Sequence, residues 1–109
     1  MSWEVLFLKT GRDRKLVEEF IDSLDEDTRS KVIRMLDLLK KHGHLLRMPY
    51  SKKISSNLFE LRIRGKIDVR IFYSFVHKYI YLIHAFVKKT QNTPDRELET
   101  AQNMLKLLS

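Results

Sequence analysis

The chain has 109 residues, 43% of them hydrophobic and 10% aromatic, and a formal net charge of +7. That length and composition suit one globular domain over residues 1–109 rather than a disordered chain, and the charge favours anionic partners. There is no cysteine, which excludes disulfide scaffolds, thiolate zinc sites and thiol nucleophiles.

In chain order, residues 3–8 form a short apolar run that predicts a strand. Thr10-Gly11 breaks it and is placed to cap a helix, in which Leu16, Val17, Phe20, Ile21 and Leu24 recur at helical spacing. Asp25 caps a second helix with Glu26 and Asp27 in its first turn and Val32, Leu36 and Leu39 along its stripe. Gly43 stops it. The two helices predict an antiparallel hairpin. Residues 45–54 read as irregular or weakly extended, because Pro49 argues against a central strand.

Residues 58–64, 67–75 and 79–87 read as strands, separated by turns at Gly65-Lys66 and Val76-His77-Lys78. Thr93 is expected as the N-cap of a last helix with Pro94 in its first position, and Leu98, Ala101, Leu105 and Leu108 as its buried stripe. The order predicts an α+β domain: an N-terminal strand, a two-helix hairpin, an antiparallel meander of three to four strands and a C-terminal helix. The helices are expected on the apolar face of the sheet, with a cationic face left open.

No apolar stretch reaches transmembrane length, and the leading MSWEVLFLKTGRDR lacks the charged-then-apolar order of a signal peptide, so the expectation is a cytoplasmic protein without membrane contact. Charge is unevenly distributed. Residues 1–44 hold nine Lys/Arg against nine Asp/Glu, residues 45–92 ten against two, and residues 93–109 two against three. The excess lies in the strand-rich middle, which suits a polyanion such as nucleic acid.

Strand alternation sets Glu60, Arg62 and Arg64 on one face and Phe59, Leu61 and Ile63 on the other. Arg70 points opposite to Val69, Ile71 and Tyr73, and Phe72 shares its face. The same parity groups His84 with Ile80, Leu82 and Phe86. Glu60, Arg62, Arg70 and His84 read either as a catalytic group or as cross-strand ion pairs. Lys52 and Lys53 read as phosphate binders or as solvated loop lysines. Phe72 and Phe86 offer stacking surfaces for unpaired bases, or packing beneath a partner or the terminal helix. The four histidines lack metal-ligand spacing with a carboxylate. No glycine-rich phosphate loop or nucleophile elbow occurs, and neither metal nor cofactor is expected.

The segment MPYSKKISSNLFELRIRGKIDVRIFYSF, followed by YLIHAFVKKTQNTP, resembles the HigB-like, phage-derived branch of the RelE/ParE toxin superfamily. The resemblance rests on Pro49, Ser51, Lys52 and Ile54; on Leu58, Glu60, Leu61 and Arg62; on Arg70, Ile71, Phe72 and Tyr73; and on His84, Phe86, Lys88, Lys89, Thr90, Thr93 and Pro94. It implies a RelE-like fold and a toxin of a type II toxin–antitoxin pair that cleaves mRNA on the ribosome and stops translation. It implies as partner a helix-turn-helix, HigA-like antitoxin, through which alone the toxin would reach operator DNA. The superfamily also contains ParE-like gyrase poisons. The alternative is therefore a non-nuclease gyrase inhibitor, or an inactive module that binds antitoxin or nucleic acid.

A metal-free ribonuclease needs a base for the 2′-OH, cations for the phosphorane and an acid for the leaving oxygen. On that reading Glu60 or Lys52 is the base, Arg62 and Arg70 are phosphate clamps, and His84 or Lys88 is the acid. Lys53, Arg64, Phe72, Phe86, Lys88 and Lys89 hold RNA.

Overall fold

A computed structural model describes residues 2–108; Met1 and Ser109, the ends of the expected domain, lie outside them. The elements are β1 (Glu4–Phe7), α1 (Leu16–Asp22), α2 (Glu26–His42), β2 (Ser51–Ser55), β3 (Leu58–Ile63), β4 (Asp68–Val76), β5 (Tyr79–Lys88) and α3 (Asp95–Leu105). The sheet order is β1-β5-β4-β3-β2. β2 to β5 form an antiparallel meander, and β1 joins the outer edge of β5 in parallel. The sheet is thus five-stranded and mixed. A parallel pairing requires a crossover, and here the intervening chain carries α1 and α2. Residues 51–55, most of them within the stretch expected as irregular or weakly extended, form edge strand β2, the fourth strand of the meander; Pro49 lies just before it, where no ladder donor is lost. Among the described residues no helix is long and apolar enough to cross a membrane.

The end signals of α2 act as the sequence implies. The Asp25 carboxylate accepts from the Thr28 N–H at 3.1 Å. Lys40, Lys41 and His42 occupy the last turn. Gly43 ends the helix at φ 51°, and a Cβ there would lie 2.0 Å from Trp3 Nε1, so both conformation and space demand glycine. The other two helix starts differ from expectation. Thr10 does not cap α1: residues 10–14 close a turn, with Asp13 at φ 57°, and the N-cap is Lys15 without a side-chain bond. Thr93 does not cap α3: Pro94 is the N-cap, and the Thr93 hydroxyl reaches the sheet instead.

The alternation pattern predicts helices on one sheet face only; the structure divides them. α1 and α2 cover the face of Leu61, Ile71, Tyr73 and Leu82. α3 lies on the opposite face, over Leu58, Phe72, Ile83 and Phe86, with Ala101 at the contact. The expected open cationic face is therefore partly roofed, because those four residues make an apolar patch on it. A β-bulge also corrects the parity of His84. Phe72 pairs with His84 and Tyr73 with Leu82, so Ile83 is the extra residue. Ile80 and Leu82 face α1 and α2, whereas His84 and Phe86 face α3.

Candidate active site

The register assembles the site. On the α3 face, Lys52, Glu60, Phe72 and His84 form one cross-strand row over β2, β3, β4 and β5. The next row holds Arg62, Arg70 and Phe86, and beyond it Asp68 pairs with Lys88. Two arginines directly opposite on neighbouring strands repel, and the pairing persists only if an anion sits between them. Glu60 is that anion. Its Oε1 accepts from Arg62 Nε at 3.2 Å and from Arg70 Nη1 at 3.1 Å, and its Oε2 accepts from Thr93 Oγ1 at 2.8 Å. The Glu60 side chain is 1% exposed, Arg70 2% and Arg62 14%. So deep a carboxylate persists only when paired and hydrogen-bonded at both oxygens, as here.

The cluster is one positive charge in excess, and Arg70 Nε has no partner among the described residues although it is buried. Arg70 also lines an open cleft of ≈ 440 Å³ with Arg64, Asp68, Lys88, Lys89, Thr90 and Gln91. Lys88 is partly buried there. Desolvation, then the nearby charge of Arg70, and then Arg62 and Arg64, hold its ammonium below the ordinary lysine range, while Glu60 opposes them. The arrangement can grip a phosphate through guanidinium forks and offers beside them an amine more ready than usual to lose its proton.

The remaining expected site residues are placed less uniformly. Lys52 is exposed on the Glu60 face, at the edge of its row. Lys53 pairs with Phe59 and so belongs to the opposite face, away from the cluster. Phe72 is fully buried and Phe86 is 6% exposed, both beneath α3, so neither offers a stacking surface; that expectation is corrected to core packing. The His84 ring lies parallel to Phe72, and its Nε2 is 2.8 Å from Glu97 Oε1 on α3. His84 thus ties α3 to the sheet rather than standing free as an acid. Glu60 accepts from Arg62, Arg70 and Thr93 and so holds the two arginines.

Sequence reasoning missed the part played by Thr93 and Glu97. The threonine was visible in the motif ending Thr93-Pro94, but its hydroxyl was assigned to a cap. Nothing local marks Glu97 beyond its place in the first turn of a helix.

Residues 19–106 match the family described as "Phage derived protein Gp49-like (DUF891)". Among curated proteins there is no significant match. With most of its length, from the second half of α1 through α3 and including every residue of the cluster around Glu60, inside that match, the chain belongs to the phage-derived Gp49-like family, a RelE/toxin-like family.

Proposed function

We propose that this protein is a HigB-like toxin of a type II toxin–antitoxin pair, a metal-independent endoribonuclease that cleaves mRNA on the ribosome. The observation that carries the reading is the buried Glu60–Arg62–Arg70 cluster, with an unspent guanidinium N–H on Arg70 and a cationic cleft beside it. Among the described residues no group of three or more His, Asp or Glu side chains comes together. On this reading the reaction is carried by side chains and the substrate's own 2′-OH.

The 2′-oxygen attacks the adjacent phosphorus, the bond to the 5′-oxygen breaks, and a 2′,3′-cyclic phosphate and a 5′-hydroxyl result. Arg70 and Arg62 hold the non-bridging oxygens as charge builds on them. Lys88, its proton loosened by its neighbours, takes the 2′-OH proton, and the leaving oxygen takes a proton from water at the open cleft. Glu60 is a positioning residue. The partner on this reading is a helix-turn-helix, HigA-like antitoxin, the place of action is the cytoplasm, and operator DNA is reached only through the antitoxin.

The test is induced expression followed by primer extension on abundant transcripts. Discrete, codon-phased breaks that vanish in Arg70→Lys are expected. DNA damage and altered supercoiling with intact RNA would instead establish the gyrase-inhibitor alternative.

A further inference from the structure

We infer that the groove between α2 and the free edge of β3 is a second nucleotide subsite, one that stacks an unpaired base of the RNA on Tyr50 and grips its phosphates with Lys31, Arg34, Arg62 and Arg64. The inference rests on the ribonuclease reading and names where the strand runs once it leaves the Arg70 cleft.

Strand β2 begins at Ser51, opposite Leu61, and the last ladder contact is the Arg62 N–H to the Tyr50 carbonyl at 2.8 Å. Beyond that point the β3 edge is unpaired by β2. A groove of ≈ 320 Å³ opens there, lined by Met35, Pro49 and Ile63 on its apolar side, by Tyr50, and by four cations with no carboxylate among them. Lys31 lies across Gly65, where a Cβ would meet its Nζ at 2.5 Å, so that this lysine is drawn over the β3 end of the groove. Tyr50 is 48% exposed.

An aromatic ring beside an apolar wall within a cationic rim is the composition that takes a base with its flanking phosphates, because a base supplies the π-face and its phosphates the charge. A purely electrostatic patch would not need the apolar lining, and an apolar peptide would not need four cations. Two residues are shared with the catalytic cluster. Arg62 lines the groove and binds Glu60, and Arg64 lines both the groove and the Arg70–Lys88 cleft. The two lie on one strand face, two residues apart, about 6.7 Å along the strand, and so form a continuous cationic path from one site to the other.

The experiment is fluorescence anisotropy at low salt, using the full chain and two non-cleavable 2′-O-methyl probes, a dinucleotide and a tetranucleotide. Tyr50→Ala should weaken the tetranucleotide about ten-fold and leave the dinucleotide unchanged. Tyr50→Phe should retain parental affinity, and Arg34→Glu should weaken the longer probe selectively. Tyr50 and Arg34 are exposed, so these variants keep the fold. If Tyr50→Ala affects both probes equally or neither, or if tripolyphosphate or an acidic peptide displaces the tetranucleotide as well as unlabelled RNA does, the subsite is wrong while the nuclease reading stands. A parent protein that binds neither probe would overturn this inference, whereas the nuclease reading stands or falls on the primer-extension test with ribosomes present.

Discussion

Glu60 is a carboxylate whose charge offsets two guanidiniums, both on its Oε1, so protonating it would leave Arg62 and Arg70 without a counter-charge. Its three donors reach both oxygens, and the residue is 1% exposed. The test of its role is a pair of substitutions. Arg70→Lys keeps a cation in the buried site and so avoids the roughly 3–5 kcal/mol of destabilisation that follows from stranding a buried charge. It loses the fork, and activity should fall by about 100- to 1,000-fold. Glu60→Gln leaves the buried Arg70 without its counter-charge, so it should destabilise the fold by about 3–5 kcal/mol, but the protein that remains folded should keep the shape of the pH–rate profile; a parent profile whose acidic limb disappears in Glu60→Gln would make Glu60 the base after all.

Lys88 carries the complementary prediction. Burial and Arg70 lower its pKa, so its neutral fraction at any given pH exceeds that of an ordinary lysine. Activity should therefore rise with pH to a plateau whose midpoint lies below the lysine range. Lys88→Arg keeps the charge but cannot give up its proton, and should reduce kcat by about 100-fold or more with little change in KM. Profiles of kcat and kcat/KM against pH on ribosome-bound mRNA measure this; a Lys88→Arg protein with the parental limb would reassign the proton transfer.

At the level of elements, the helix ends and the bulge decide where these residues meet. Gly43 allows α2 to end against Trp3, and Trp3 in turn meets Phe75 and His44 edge to face. Gly43→Ala must adopt a left-handed conformation, worth about 1–2 kcal/mol, and must also displace the indole. A fall in Tm is expected, larger than for Gly11→Ala, whose Cβ would meet nothing within 4 Å; equal Tm values in the two variants would mean that neither the backbone conformation nor the indole resists a side chain at position 43.

The α2 ends were legible because a capping Asp, first-turn acids and a closing Gly act within a few residues of one another. The strands from β3 to β5 were legible for the same reason, through alternation and short turns. The face of His84 was not, because the extra residue Ile83 reverses the parity and a bulge leaves no local signature in a run of β-favouring residues. Nor was the placement of α3. Its stripe predicted burial, but Leu58, Phe72, Ile83 and Phe86 come together as its seat only once three strands pair. Of the site, Glu60, Arg62 and Arg70 could be put on one face from spacing alone. The bond from Thr93, 33 residues away along the chain, could not.

Across the whole molecule, the β4–β5 hairpin carries exposed lysines of the basic stretch 45–92 at both of its ends. Lys88 and Lys89 lie where β5 runs out, on the Arg70 cleft, while Lys78 lies in the turn between β4 and β5, at the other end of the same strands. α3 covers the intervening apolar patch and brings Asp95, Glu97 and Glu99 with it. A polyanion attracted by net charge alone would not distinguish the two ends, whereas one seated in the cleft would. Lys78→Glu and Lys89→Glu change the net charge equally, and both lysines are exposed, so neither substitution should disturb folding. Binding of a non-cleavable RNA should weaken with salt in the parent. Each phosphate contact contributes about −0.7 to the slope of log K against log salt for a single strand. Lys89→Glu should lower affinity and reduce that slope by about 0.7 or more, while Lys78→Glu should leave the slope at its parental value. Equal slopes in the two variants would mean that RNA senses the overall field of the protein and is not held in the cleft beside Arg70.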